Sequence, residues 1–135
     1  MKKVLTIVLG LAVAILAGCS DGLVGVQGTV TYDGKPVVDG VISFTADNGT
    51  GTAYESRIVN DNGRYKIRCA PGEMRVRIHG FRMEEYEFIA FPGAPPETRE
   101  GRQNYIPQQY NQGATLTVTV SPSGGTHDFS LEAVP

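Results

Sequence analysis

The sequence predicts an all-β domain, a Greek-key β-sandwich of about seven strands, from three observations. Apolar residues recur at every second position in short runs, as in Tyr65 and Ile67 or Met74, Val76 and Ile78. Clusters of Gly, Asn, Asp and Pro punctuate those runs, among them Asp33-Gly34, Asn62-Gly63 and Pro71-Gly72. No helical period appears after the apolar run that opens the chain.

The organising stretch is 26–44. Val26, Gly28, Val30 and Tyr32 alternate, Ile42 and Phe44 resume the period, and Asp33-Gly34-Lys35-Pro36 with Asp39-Gly40 lie between. This reads as a strand, a polar corner wide enough to place the two strands on different sheets, and a second strand over 41–46. Gly28 inside the first strand predicts a bulge or the close approach of another backbone. A turn at 47–51 follows; its Asn48-Gly49-Thr50 matches a glycosylation pattern but reads here as turn chemistry. A third strand spans 52–59 and closes on Asn60-Asp61-Asn62-Gly63. That cluster fails as a calcium loop, because aligning Gly63 on the loop glycine puts Ile58 and Cys69 at the terminal ligand positions. It reads as a hairpin turn with positive φ at Gly63.

Strands at 64–68 and 74–79 flank Ala70-Pro71-Gly72 and read as a hairpin. With both apolar sets facing the core, its outer face carries Arg64, Lys66, Arg68, Arg75 and Arg77. Like charges opposed on a sheet cost up to about 1 kcal/mol each. This face is therefore either neutralised by Glu55, Glu73 or Glu84-Glu85-Glu87, or is an anion-binding face. The stretch 82–113 is too long for an ordinary connection. It holds Tyr86, Phe88, Phe91, Tyr105 and Tyr110 with four prolines; 86–91 reads as a short extra strand and 92–102 as an exposed excursion. Its aromatics either form a binding surface or cap an open end of the core. Strands at 114–120 and 126–133, joined by Ser121-Pro122-Ser123-Gly124-Gly125, read as a final hairpin.

The first residues, Met1-Lys2-Lys3 and the apolar run 4–17, have the charged and apolar regions of a secretory signal. The run is short for a membrane span. It ends in Leu16-Ala17-Gly18-Cys19, which resembles the lipobox of bacterial lipoprotein precursors. The resemblance implies a signal peptide over 1–18, diacylglyceryl attachment at Cys19 and a lipidated tether over 19–25. The alternatives are an ordinary signal with an incidental cysteine, or an uncleaved helix. Two or three acyl chains hold a protein on a bilayer where one holds it marginally. The sorting rule of such lipoproteins, with Ser20 rather than Asp after the cysteine, favours the outer over the inner membrane of the envelope. A thioether at Cys19 would leave Cys69 without a partner, most simply a small buried hydrophobe.

Taken together, the 26–44 stretch, N-D-N-G-R-Y-K-I (60–67), P-G-E-M-R-V-R-I (71–78), I-P-Q-Q-Y-N (106–111) and the last two strands resemble the carboxypeptidase regulatory-like, or transthyretin-like, domains of small bacterial lipoproteins. The resemblance spans the chain after the signal and implies a seven-stranded prealbumin-like sandwich over 26–135. It implies a non-catalytic attachment or interaction module, with protein or glycan as partner. The hydroxyisourate-hydrolysing branch of that family uses several histidines and a Tyr-Arg-Gly-Ser terminus. This chain has His79 and His127 and ends Glu132-Ala133-Val134-Pro135, so a hydrolase is the least favoured reading.

Removal of 1–18 leaves 10 basic and 14 acidic side chains, a formal charge of −4, which opposes nucleic-acid binding. His127 and Asp128 are strand neighbours and point to opposite faces, so they form no catalytic pair. His79, His127 and Cys69 fall on different strands and predict no metal site. No catalytic residue, metal or cofactor is expected. The functional expectations are Cys19 as lipid attachment site, an envelope interaction module, and, as the alternative, a solute-binding module for an anionic ligand on the basic hairpin face.

Overall fold

The computed structural model describes residues 21–47, 51–59 and 61–133. The leader, Cys19, Asn48-Gly49-Thr50 and Asn60 lie outside them. The described residues are all-β, with two sheets. In chain order the strands are β1 (Val24–Tyr32), β2 (Lys35–Pro36), β3 (Gly40–Ala46), β4 (Ala53–Ile58), β5 (Arg64–Cys69), β6 (Gly72–Phe88), β7 (Glu97–Asn104), β8 (Thr117–Val120), β9 (Gly125–Thr126) and β10 (Phe129–Leu131).

Sheet one is built on β1. Its first two-thirds pair antiparallel with β5, from Val24 opposite Cys69 to Thr29 opposite Arg64. β9 and β10 pair with β1 in parallel, and β2 folds back on its end. In sheet two, β3 lies between β4 and β6, while β8 pairs with the start of β6 and β7 with its end. The 26–44 stretch therefore spans both sheets, as its wide corner implies.

The alternation sets which side chains meet between the sheets. Val26, Val30, Tyr65, Ile67, Cys69, Phe129 and Leu131 from sheet one face Ile42, Phe44, Ile58, Met74, Val76, Ile78 and Val120 from sheet two, all buried. Each large apolar side chain so placed contributes about 1.5–3 kcal/mol. Phe44, Tyr65 and Phe129 form the centre, with ring centroids 6.1 to 6.3 Å apart. Cys69 belongs to this core, and burial raises its thiol pKa; such a thiol is structural rather than reactive.

Two glycines hold the sheets in register. Gly63 has φ +68° and is buried at the corner where the chain passes from β4 to β5. Its carbonyl accepts the Val30 N–H at 2.8 Å, so the left-handed turn predicted from Asn62-Gly63 also pins the corner to β1. Gly28 sits between the two parallel pairings of β1, where the His127 carbonyl turns inward. That carbonyl accepts the Tyr65 hydroxyl at 2.5 Å, which satisfies the polar tip of a buried ring.

Three sequence expectations change. β5 and β6 are not a hairpin: β5 pairs with β1 and β6 with β3, so Pro71-Gly72 carries the chain between sheets. Likewise β8 joins sheet two while β9 and β10 join sheet one, so Ser121–Gly125 is a crossing. A period of two gives the face of a strand but not its partner, and both connections would suit a hairpin equally. Third, 82–113 is not a loop. β6 runs 17 residues, well beyond the usual strand length of about 5–6, and its second half pairs with β7 from Phe81 opposite Asn104 to Phe88 opposite Glu97. The excursion expected over 92–102 is confined to the turn before Glu97.

Candidate functional site

Past Gly80, which pairs with Gly40, β6 has left β3 and its second half pairs with β7. The result is a two-stranded arm rising from one pole of the sandwich. A two-stranded ribbon alone is marginal in water, so the root must hold it. Asn104 Oδ1 accepts the Gly80 and Ile106 N–H groups, each at 3.2 Å. Asn111, the buried polar residue of the core, donates its amide to the carbonyls of Ile78, Ile106 and Pro107 at 3.2 to 3.3 Å. Its Oδ1 accepts the Gln112 N–H. Ile106 is buried, and Tyr105 and Tyr110 pack against the core. Tyr105 also meets Tyr32 edge-on at 5.5 Å.

A bidentate ion pair braces the root from outside. Arg102 Nε and Nη2 reach Asp39 Oδ2 and Oδ1, both at 2.9 Å, and the guanidinium lies 4.0 Å from the Phe81 ring centroid. Hydrogen bonding from Arg102, outweighing partial desolvation and helped by the Arg102 and Arg57 charges, holds the Asp39 carboxyl below its ordinary pKa. A carboxyl with a depressed folded pKa adds stability that is present above the unfolded value near 3.9 and is lost as pH falls through the folded value. Arg102→Ala should therefore lower stability slightly near pH 7, through loss of a half-exposed pair and its aromatic contact. Denaturation curves taken near pH 2.5 should show a smaller difference from wild type.

The arm's two faces differ. On one, Arg82 bonds Glu84, Arg99 bonds Glu97 at 3.4 Å and caps Phe88 at 3.8 Å, and Tyr86 lies over Gly101. On the other, beyond Met83 and Arg102, Glu85 stands directly opposite Glu100 with Glu87 one step further. None of these three glutamates makes an ion pair with a described residue. Towards the tip Ile89 and Phe91 are 57% and 65% exposed. The aromatics of 82–113 thus divide: Tyr105 and Tyr110 cap the core, while Tyr86 and Phe91 are on the arm.

The five predicted cations do not form one face. Arg64, Lys66 and Arg68 project from β5 on the outside of sheet one, opposite Thr29, Gln27 and Gly25 of β1. Arg75 and Arg77 project from β6 on the outside of sheet two. Arg68 is bonded to Asp21 and Arg75 to Asp47. Of the carboxylates expected to neutralise the group, Glu84, Glu85 and Glu87 are on the arm, whereas Glu55 and Glu73 share the outer face of sheet two with Arg75 and Arg77. What remains is a basic strip at Arg64 and Lys66. It borders two adjoining depressions of about 470 and 240 Å³ that share Gln27, Lys66 and Thr126. Asp128 also lines this groove, but its Oδ1 accepts from the Thr29 N–H and hydroxyl.

His79 stacks on Phe81 at the arm root, while His127 lies beside β1 in sheet one. Among the described residues no group of three His, Cys, Asp or Glu side chains is gathered to hold a metal. No sequence pattern marks Asp39 with Arg102, and Asn111 is marked by nothing beyond its place in I-P-Q-Q-Y-N.

No family model and no curated protein matches the chain. Among solved structures it is similar to a 9R-lipoxygenase from Cyanothece PCC8801, with 16% identity over 83% of this chain and 16% of that one. The TM-score of 0.35 is too low to bear on fold or activity.

Proposed function

We propose that the chain is a lipid-anchored, non-catalytic interaction module of a bacterial cell envelope, a transthyretin-like Greek-key domain whose β6–β7 arm meets a protein partner. The arm's placement carries this reading. β1 begins at Val24 opposite Cys69, and Asp21 is bonded to Arg68 at the same pole. The arm leaves from the other pole, beside Tyr32 and Tyr105. With Cys19 in the bilayer, the sandwich rests near the membrane and the arm points away from it. At about 3.3 Å per residue, β6 carries the tip up to about 55 Å from the anchored pole. Ser20 after the cysteine favours the outer membrane as the site of attachment.

The anchor is tested by labelling cells with a fatty acid. Wild type should incorporate label and Cys19→Ala should not; equal labelling of both refutes attachment there. Orientation is tested separately. With Cys69 buried, a fluorophore can be placed through Pro71→Cys or Pro95→Cys on the anchored protein in vesicles. Energy transfer to an acceptor lipid should be strong from position 71 and weak from position 95, and the reverse order would exclude an outward arm.

A further inference from the structure

We infer that the arm's acidic face docks on the basic groove of sheet one in a second copy of this chain, each copy giving its arm to the other about a two-fold axis. Three observations converge. Glu85, Glu87 and Glu100 form an unneutralised patch on one face of the arm while the other face pairs its own charges. Glu85 opposite Glu100 is a cross-strand repulsion, which a cationic surface would relieve. The molecule carries such a surface at Arg64 and Lys66, in a groove floored by Gly25, Gln27, Gly125 and Thr126 and also lined by Arg68, bonded to Asp21, and by Asp128, whose Oδ1 is engaged by Thr29. Glu85 and Glu87, like Arg64 and Lys66, are two residues apart on strands, so both pairs repeat at about 7 Å and can lie in register.

The arm cannot reach the groove of its own chain, because β6 runs without a break from the sandwich into the arm and leads away from it. The groove must belong to another copy, and one standing head to head, since the arm rises above its own sandwich. Area favours reciprocity. A ribbon of eight residue pairs covers a footprint of about 270 Å², or about 550 Å² counting both partners. One such contact falls below the ~1,000 Å² of a specific interface, and two reach it. Head-to-head copies on a lipid-anchored domain would join two facing membrane surfaces.

This inference rests on the arm being the contact element, yet its test does not depend on the anchor or its orientation. Full-length chain in detergent, followed by size-exclusion chromatography with light scattering, should be a dimer at 50 mM NaCl. Its Kd should weaken at least tenfold at 500 mM. The arm variant Glu85→Lys, Glu87→Lys, Glu100→Lys and the groove variant Arg64→Glu, Lys66→Glu should each be monomeric alone and form a dimer when mixed, because mixing restores both contacts. The substituted residues are exposed, and thermal unfolding checks that each variant folds; should one fail, the salt dependence of wild type still decides. A wild type that stays monomeric up to about 100 μM, or a dimer indifferent to salt and to both variants, overturns the inference.

Discussion

Gly28→Ala should destabilise the sandwich by at least about 3 kcal/mol, lowering its melting temperature by about 10 °C or more. A Cβ at Gly28 would lie 1.9 Å from the His127 carbonyl oxygen and 2.7 Å from its carbon. Backbone is the obstacle, so no side-chain rotation relieves it. Moving the 125–131 segment away by an ångström or more would break what that segment holds together. His127 N–H donates to the Gln27 carbonyl at 2.9 Å, Tyr65 hydroxyl to His127 at 2.5 Å, and Thr29 N–H to Asp128 at 2.8 Å. The Tyr65 hydroxyl would then be left in the core without an acceptor, itself a cost of about 1–3 kcal/mol. Gly25→Ala on the same strand is the control. Nothing lies within 4 Å of its Cβ position, and it should stay within about 0.5 kcal/mol of wild type. Urea denaturation of the three proteins measures both; a Gly28→Ala variant as stable as wild type would show that β9 and β10 do not lie where described.

That glycine was legible because a missing side chain inside an alternating run has few explanations. The same holds for the inward residues of β5 and β6, where Tyr65, Ile67, Met74, Val76 and Ile78 are buried as their alternation requires. Pairing was not legible. Arg64 to Cys69 and Gly72 to Gly80 satisfy a hairpin and a crossing between sheets with the same pattern, since either way the apolar faces point at one core. The arm was missed for a related reason. Beyond Phe81 both of its faces are largely exposed, so no apolar set has to alternate, and β7 reads E-T-R-E-G-R-Q-N with nothing to mark it as a strand. Its pairing follows from the continuity of β6 and from the contacts of Asn104 with Gly80, Asn111 with Ile78 and Arg102 with Asp39, which are long-range in sequence. The five-cation face does not survive the loss of the hairpin on which it depended, and on sheet one Arg64 and Lys66 remain as an open cationic strip.

The root also sets the second large effect. Asn111→Asp should cost about 3–5 kcal/mol at pH 7, the penalty of a buried charge without a partner. The substitution is nearly isosteric but replaces a donor by an acceptor. The Asn111 amide group faces the carbonyls of Ile78, Ile106 and Pro107, so a carboxylate there meets three oxygens and loses every bond the amide makes to them. Asn111→Ala, which removes the donor without adding charge, should cost less, about 2 kcal/mol. The pH dependence separates charge from shape. Burial among carbonyls raises the folded pKa of the introduced carboxyl above its unfolded value near 3.9. The native state then binds more protons than the unfolded state between those two values, and stability relative to wild type falls as pH rises through that window. Below it, the neutral carboxyl can donate one hydrogen bond and recover part of the loss. Guanidinium denaturation of both variants against wild type at pH 3.5 and pH 7 reads this directly. The gap for Asn111→Asp should narrow at low pH while that for Asn111→Ala should not. Amide exchange should place the damage first at Gly80, Phe81 and Tyr105, whose N–H groups are bonded at the root of the arm.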